Sequence, residues 1–282
     1  MLFRSEALNP QFQDGLTKGL DCQKVRKQFR KALDTKGKVE LDSPKVLDLE
    51  YEVPYLAHAT LEPMNCTASV TDNFCEVWAP TQNQEMSLVV TKEITGLDED
   101  QIRIHTTLLG GGFGRRIEID YVTQAVTISK NLGKPVQVTW MREEDMQHDF
   151  YRPASMSRFQ ISLGKNGLPE KWKNQLAAPS ILKRYFAPLG WFGFDPTSTE
   201  GAKELPYAIP DFDFDFSMVD PGVPVGFWRS VGSSHNAFYI ESAIDVASHL
   251  AQHNPFEYRR RSEEHTSELQ SRTNLVCRLL LE

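Results

Sequence analysis

The residues best placed to do chemistry in this chain of 282 residues form one run, Gly110-Gly111-Gly112-Phe113-Gly114-Arg115-Arg116. Glycine gives up more backbone freedom on folding than any other residue. Four of them around one aromatic are expected where the backbone turns sharply, or approaches something that a Cβ would block. The chemistry open to such a loop is donation, because backbone N–H groups without partners can hold an oxyanion. Arg115 and Arg116 add two cations, and Gln82 offers a side-chain amide at the start of another element.

Three readings fit this loop: a strand-to-helix turn without a ligand, a nucleotide loop, and the seat of a phosphate-bearing cofactor. The dinucleotide pattern needs a glycine where Arg115 stands, and the phosphate-loop pattern needs Gly-Lys-Ser/Thr, which is absent. Cations in the first turn of a helix oppose its dipole by about 0.3–1 kcal/mol each. Arg115 and Arg116 are thus better placed facing a phosphate, with Glu118 and Asp120 as alternative partners.

The flanks must position the loop. Gln101 to Leu109 is rich in β-branched residues and reads as a strand. Ile117, Tyr121, Ala125, Ile128 and Leu132 recur at helical spacing, and Gly133 and Pro135 stop that helix. Strand, loop and helix N-terminus together predict an anion site. Upstream, Val25, Phe29 and Leu33 share one face of a helix near Cys22, and Val46 to Val53 alternates as a strand. Phe74 to Ala79 is a strand stopped by Pro80, and a helix capped by Thr81 runs to Thr95, closed by Gly96. Gln82 and Gln84 lie where binding groups are often displayed.

Downstream, Pro135 to Met141 is a strand, Arg142 to Met146 an acidic turn, and Gly164 to Gly167 a hairpin turn. Phe212, Phe214 and Phe216 alternate with three aspartates, which reads as a half-buried strand rather than a metal site. A second glycine- and serine-bearing loop, Pro224 to Ser234, feeds a helix with Phe238, Ile244, Val246, Ala247 and Leu250 as its apolar positions. His249 and His253 are one turn apart without the glutamate that a zinc-protease helix needs. A lone histidine such as His58 is expected to be a structural hydrogen-bonder.

Composition excludes several classes. The chain is 40% hydrophobic and 24% charged, with net charge −7. It has no basic block, so nucleic acid is not an expected partner. No apolar run approaches membrane-spanning length, and no signal-like segment opens the chain. Cys22, Cys66, Cys75 and Cys277 include no Cys-x-x-Cys pair, so neither zinc nor an iron–sulfur cluster is expected here. Cys66 and Cys75 could face each other across a hairpin as a disulfide. The fold class expected is α/β, with mixed sheets and helices packed on them.

Five motifs in order carry a resemblance: His58-Ala59-Thr60-Leu61-Glu62-Pro63-Met64, Trp78-Ala79-Pro80-Thr81-Gln82, Gly110 to Arg116, His148-Asp149-Phe150-Tyr151-Arg152-Pro153, and Trp228-Arg229-Ser230-Val231-Gly232. Over about Val46 to Arg260 the chain resembles the molybdenum-binding large subunit of the xanthine oxidase family. Within it the chain is most similar to the isoquinoline 1-oxidoreductase β subunit and related aldehyde dehydrogenase subunits. The resemblance implies a molybdopterin cofactor with molybdenum, in a cytosine dinucleotide form. It also implies oxidation of a small aromatic heterocycle or aldehyde with oxygen from water, and iron–sulfur clusters on a small partner subunit. By the same resemblance Gln82, Gly111, Gly112, Phe113, Gly114, Arg115 and Arg229 hold the cofactor. The Phe113 N–H and the Gln82 amide face oxygen ligands of the metal, and no side chain binds the metal directly. Purine-oxidising members carry a glutamate where Ile117 stands, which points to a less polar substrate.

The family's general base is a glutamate in a Gly-x-Gly-Glu motif, which occurs nowhere in this chain. No catalytic residue is therefore expected among these residues, and the chain alone is expected to be inactive. Residues 1–45 read as a peripheral segment and 46–260 as a partial molybdopterin-binding domain. Residues 261–282 resemble the translation of a sequencing adapter.

Overall fold

The computed structural model describes residues 21–37, 41, 43, 45–185 and 193–262. In chain order the elements are helix α1 (Cys22–Asp34), strands β1 (Val46–Val53), β2 (Asn65–Val70) and β3 (Cys75–Ala79), and helix α2 (Gln84–Thr95). Strand β4 (Ile102–Thr106), helix α3 (Asp120–Leu132), strand β5 (Val136–Thr139) and helix α4 (Arg142–Gln147) follow. Strands β6 (Ser155–Leu163) and β7 (Pro169–Ala178), the short helix α5 (Pro196–Thr199), strand β8 (Asp211–Met218), and helices α6 (Ser233–Leu250) and α7 (Pro255–Ser262) complete it. These elements fall into two compact units, which confirms an α/β fold with two mixed sheets.

The first unit takes Tyr55–Pro153 and Gly222–Arg229. Its sheet has the order β4-β3-β2-β5, parallel between β3 and β4 and antiparallel elsewhere. Alternation decides its core: Cys66, Ala68, Val70, Cys75, Val77 and Ala79 are buried together with Tyr121, Val122, Ala125 and Val126 of α3. Gly96 and Gly133 close α2 and α3 in the left-handed region, as their positions predict. The cap of α2 is Asn83 rather than Thr81, with Asn83 Oδ1 accepting from Met86 N–H at 3.1 Å. Thr81 instead accepts from the Asn83 N–H. Strand β4 stops at Thr106, short of the predicted Leu109. Its partner β3 ends before Pro80, which has no N–H to extend the ladder.

No disulfide joins Cys66 and Cys75, because the register sets Val70 opposite Cys75 and Cys66 lies four residues earlier in the strand. Burial pushes their thiols up to about 12 and about 11, which leaves both unreactive near neutral pH.

The second unit takes Leu20–Pro54, Ala154–Pro221 and the chain from Ser230. Its sheet has the order β1-β6-β7-β8. Every residue of β6 is buried, as expected of a strand covered on both faces. Phe159, Ile161 and Trp172 pack with Tyr239, Ile240 and Ile244 of α6. Helix α1 buries Val25, Phe29 and Leu33, and its Asp34 pairs with Arg158 of β6 at 3.0 Å. The Asp-Phe alternation of β8 forms the expected strand, with Lys171 and Lys173 pairing to Asp211 and Asp213 directly across the ladder.

Helix α6 departs from expectation. Phe238 is 49% exposed, while His235, Asn236, Tyr239 and Ile240 are buried. Counting apolar residues alone missed a stripe that is partly polar. Arg261 and Ser262 close α7, and the rest of the adapter-like tail lies outside the described residues.

Candidate functional site

The shape of the Gly110–Gly114 loop follows from what each glycine excludes. A Cβ on Gly110 would lie 2.4 Å from Glu62 Cβ, one on Gly112 2.5 Å from Gln82 Oε1, and one on Gly114 2.0 Å from the Phe227 carbonyl oxygen. Gly111 and Gly114 also take φ of +100° and +101°. Phe113 is at +54°, a left-handed conformation that costs an L-residue of its size strain.

The surroundings satisfy only part of the loop's backbone. The Gly110 N–H donates to Glu62 Oε2 at 2.8 Å, the Gly114 N–H to Gln82 Oε1 at 3.0 Å, and the Arg115 N–H to the Gly112 carbonyl at 2.9 Å. Among the described residues, the N–H groups of Gly111, Gly112 and Phe113 meet no acceptor. Gln82 spends its oxygen on Gly114, and its Nε2 has no partner among the described residues. Arg229 is exposed, and its guanidinium has none there either. Phe227, two residues before it, sets its carbonyl against Gly114. The next two residues, Ser230 and Val231, both have positive φ (+70° and +47°).

The loop does not run straight into a helix. Arg115–Ile117 forms a single 3-10 turn, Glu118 is extended, and α3 starts only at Asp120. The predicted alignment of loop and helix dipole is therefore absent, and the donors are the loop's own amides. Arg115 and Arg116 turn inward, 1% and 0% exposed in their side chains. Arg115 makes a two-pronged contact with Asp120 (3.0 and 2.7 Å), and its Nε lies 3.1 Å from Asp149 Oδ1 without hydrogen-bond alignment. Its guanidinium sits 5.4 Å from the ring centres of both Trp140 and Phe150. Arg116 donates to the Gly111 and Glu62 carbonyls, each at 2.8 Å, and to Glu62 Oε2 at 2.9 Å.

Burial disfavours both charges. For Arg115 the hydrogen bonds and charge of Asp120, with Asp149, outweigh burial and hold its pKa above the ordinary value. For Arg116 burial wins over Glu62, and the pKa falls below the ordinary value. These two arginines brace the loop from beneath, and Arg115 takes the alternative partner Asp120 rather than facing outward to a phosphate.

Glu62 and Asp149 were legible only as members of quoted motifs. Their work as anchors depends on contacts 34 or more residues away in sequence, which spacing does not reveal. Glu62 is fully engaged, since Asn65 Nδ2 also donates to its Oε1 at 2.8 Å. His58 is the predicted hydrogen-bonder, held between Asp149 and the Phe227 carbonyl. Elsewhere, Glu241 and Asp245 pair with Arg259, and Gln84 is an exposed first residue of α2. No cluster of metal-ligating side chains occurs among the described residues, and no helix there is long and apolar enough to cross a membrane.

A surface of unpaired N–H and guanidinium donors, shaped for close approach, fits an anionic group bearing oxo and phosphate oxygens. Residues 26–262 match the molybdopterin cofactor-binding domain, and the chain belongs to that family. It is 28% identical over 216 residues to the isoquinoline 1-oxidoreductase subunit beta of Brevundimonas diminuta, covering 75% of this chain and 27% of that protein. It is also 28% identical to a membrane-bound aldehyde dehydrogenase [pyrroloquinoline-quinone] of Gluconacetobacter polyoxogenes, over 76% of this chain and 29% of the other. The chain thus spans under a third of the length of these relatives. Quinoline 2-oxidoreductase of Pseudomonas putida 86 shares the fold, with a TM-score of 0.68 over 81% of this chain and 29% of that one at 18% identity.

Proposed function

We propose that this chain is the cofactor-holding part of a molybdenum hydroxylase that oxidises a small N-heterocycle or an aldehyde. The observation that carries the reading is the set of donors without partners among the described residues, at Gly111, Gly112, Phe113, Gln82 Nε2 and Arg229, on and beside a loop where a Cβ has no room. The cofactor, molybdopterin with molybdenum, supplies when bound the two-electron oxidation that uses oxygen from water. The Phe113 N–H and Gln82 Nε2 donate to its oxygen ligands. Gly112 lets the backbone come close, and Arg229 offers positive charge to its anionic part. Arg115 and Arg116 act from below, keeping the amides aimed by fixing the loop's carbonyls and flanking carboxylates. Pre-set donors of this kind need no reorganisation as charge develops.

Ile117 in place of a purine-binding glutamate favours an apolar heterocycle or aldehyde. The proton-abstracting base is not Glu62, which is committed to Gly110, Asn65 and Arg116. Electrons would leave through iron–sulfur clusters on a partner subunit, and the pterin would be in its cytosine dinucleotide form. The test is metal and pterin analysis of the whole protein made in a host that synthesises molybdopterin. Co-purifying molybdenum and pterin, with turnover of isoquinoline or an aldehyde, is the expected result. Tight nucleotide binding without metal would overturn the reading.

A further inference from the structure

We infer that His58 and Asp149 are positioning residues for the donor surface: they fix the Phe227 carbonyl against Gly114 and so hold the Arg229 segment beside the glycine loop. This rests on the reading of that loop as a cofactor site. His58 Nε2 lies 2.9 Å from the Phe227 carbonyl oxygen, which can only accept, so the ring donates there. Its Nδ1 is 3.0 Å from both oxygens of Asp149, and the His58 backbone N–H also donates to that carboxylate. The two side chains are 1% and 2% exposed, and the Trp228 ring lies over the imidazole with centroids 4.6 Å apart.

The same carbonyl occupies the space of a Gly114 Cβ, and the Gly114 N–H is held by Gln82. One imidazole therefore links the Phe227–Arg229 segment to the loop and, through it, to Gln82. Arg115 reaches the same Asp149, so the brace beneath the loop and the tie to Phe227 share one carboxylate.

Two substitutions separate the roles. His58→Phe keeps a ring against Trp228 and removes both hydrogen bonds, whereas His58→Gln keeps a donor for Phe227. Each is made in the whole protein and read by molybdenum content per chain and by hydrogen exchange of the Gly226 and Gly114 amides. Both amides are hydrogen-bonded, to the Tyr151 carbonyl and to Gln82. Losing the hydrogen bond to the Phe227 carbonyl predicts about tenfold faster exchange in His58→Phe, with a molybdenum loss of about the same factor. His58→Gln should stay within about twofold of wild type in both readouts. Unchanged exchange in His58→Phe overturns the proposal, whether or not molybdenum is lost, and so does a His58→Gln variant as damaged as His58→Phe. Should His58→Phe fail to fold, Asp149→Asn takes its place and must show the same faster exchange, and unchanged exchange there also overturns it. If wild type holds no molybdenum, the cofactor reading falls, while the exchange comparison still decides whether His58 positions the segment.

Discussion

The turn at Gly164–Gly167 and the loop at Gly110–Gly114 both place glycine in the left-handed region, yet they treat their backbone differently. The hairpin turn closes on itself. Gly164 N–H donates to the Leu168 carbonyl and Gly167 N–H to the Gly164 carbonyl, each at 2.9 Å, and Leu168 N–H goes to Asn166 Oδ1. Its charged residue, Lys165, is exposed. The other loop leaves three consecutive N–H groups without an acceptor among the described residues, fills every missing Cβ with a side chain or carbonyl, and sits on two buried arginines. A glycine-rich stretch is thus a site when its neighbours hold its shape but leave its donors over. Among the described residues the Lys165 and Asn166 N–H groups also lack acceptors, but they lie on an exposed turn with no buried cation beneath it.

The contrast should be largest in the charges. Arg115→Ala leaves Asp120 without its two-pronged partner and takes a cation from beside the buried Asp149, which keeps His58, and is expected to cost about 3 kcal/mol in urea unfolding. Lys165→Ala in the hairpin should stay within about 0.5 kcal/mol. Equal effects would mean that the arginine brace is not what sets the two turns apart.

Alanine at the glycines comes next. Gly114→Ala meets the Phe227 carbonyl at 2.0 Å with φ at +101°, and should cost about 3 kcal/mol because backbone has to move. Gly167→Ala carries the φ penalty at +79°, but its nearest neighbour is the Ala251 Cβ at 3.2 Å, so about 1 kcal/mol is expected. Calorimetry that ranks them the other way would contradict the packing described for Gly114.

Acid should separate the units more gently. In the second unit, burial disfavours the Asp195 carboxylate, but hydrogen bonds from Ser180, Thr197 and Leu182 outweigh it and hold its pKa below the ordinary range. Its stabilisation is present above the unfolded value of about 3.9 and is lost as pH falls through the lowered one. In the first unit, burial raises the Asp145 pKa against Arg142 and Arg115, so protonation there favours the fold. Asp195→Asn should flatten the acid limb of the stability–pH curve, and an unchanged slope would count against this assignment.

Most elements were legible in the sequence because period and punctuation agree. Val25, Phe29 and Leu33 face inward in α1, the Asp-Phe alternation made β8, and Gly96 and Gly133 ended two helices. The loop was legible from its glycines, and Gln82 from its place at an element end. What lay beyond reach was the loop's support. The partners of Arg115, Arg116 and His58 are supplied by tertiary contact, and the choice between phosphate and Asp120 could not be made from spacing. The 3-10 turn before α3 was hidden for the same reason, since the inward turn of the two arginines shapes it.

The most direct test of the cofactor site is the molybdenum content of Gly112→Ala beside Gly167→Ala in the whole protein. The nearest atoms that the new Cβ at position 112 meets belong to the flexible Gln82 side chain, with Oε1 at 2.5 Å. It should therefore displace that amide and crowd the donor surface at a stability cost of about 1 kcal/mol or less. Wild type and Gly167→Ala should carry equal molybdenum, with Gly112→Ala folded and depleted about tenfold or more. A folded Gly112→Ala that keeps wild-type molybdenum would contradict the assignment of this loop as the cofactor's seat.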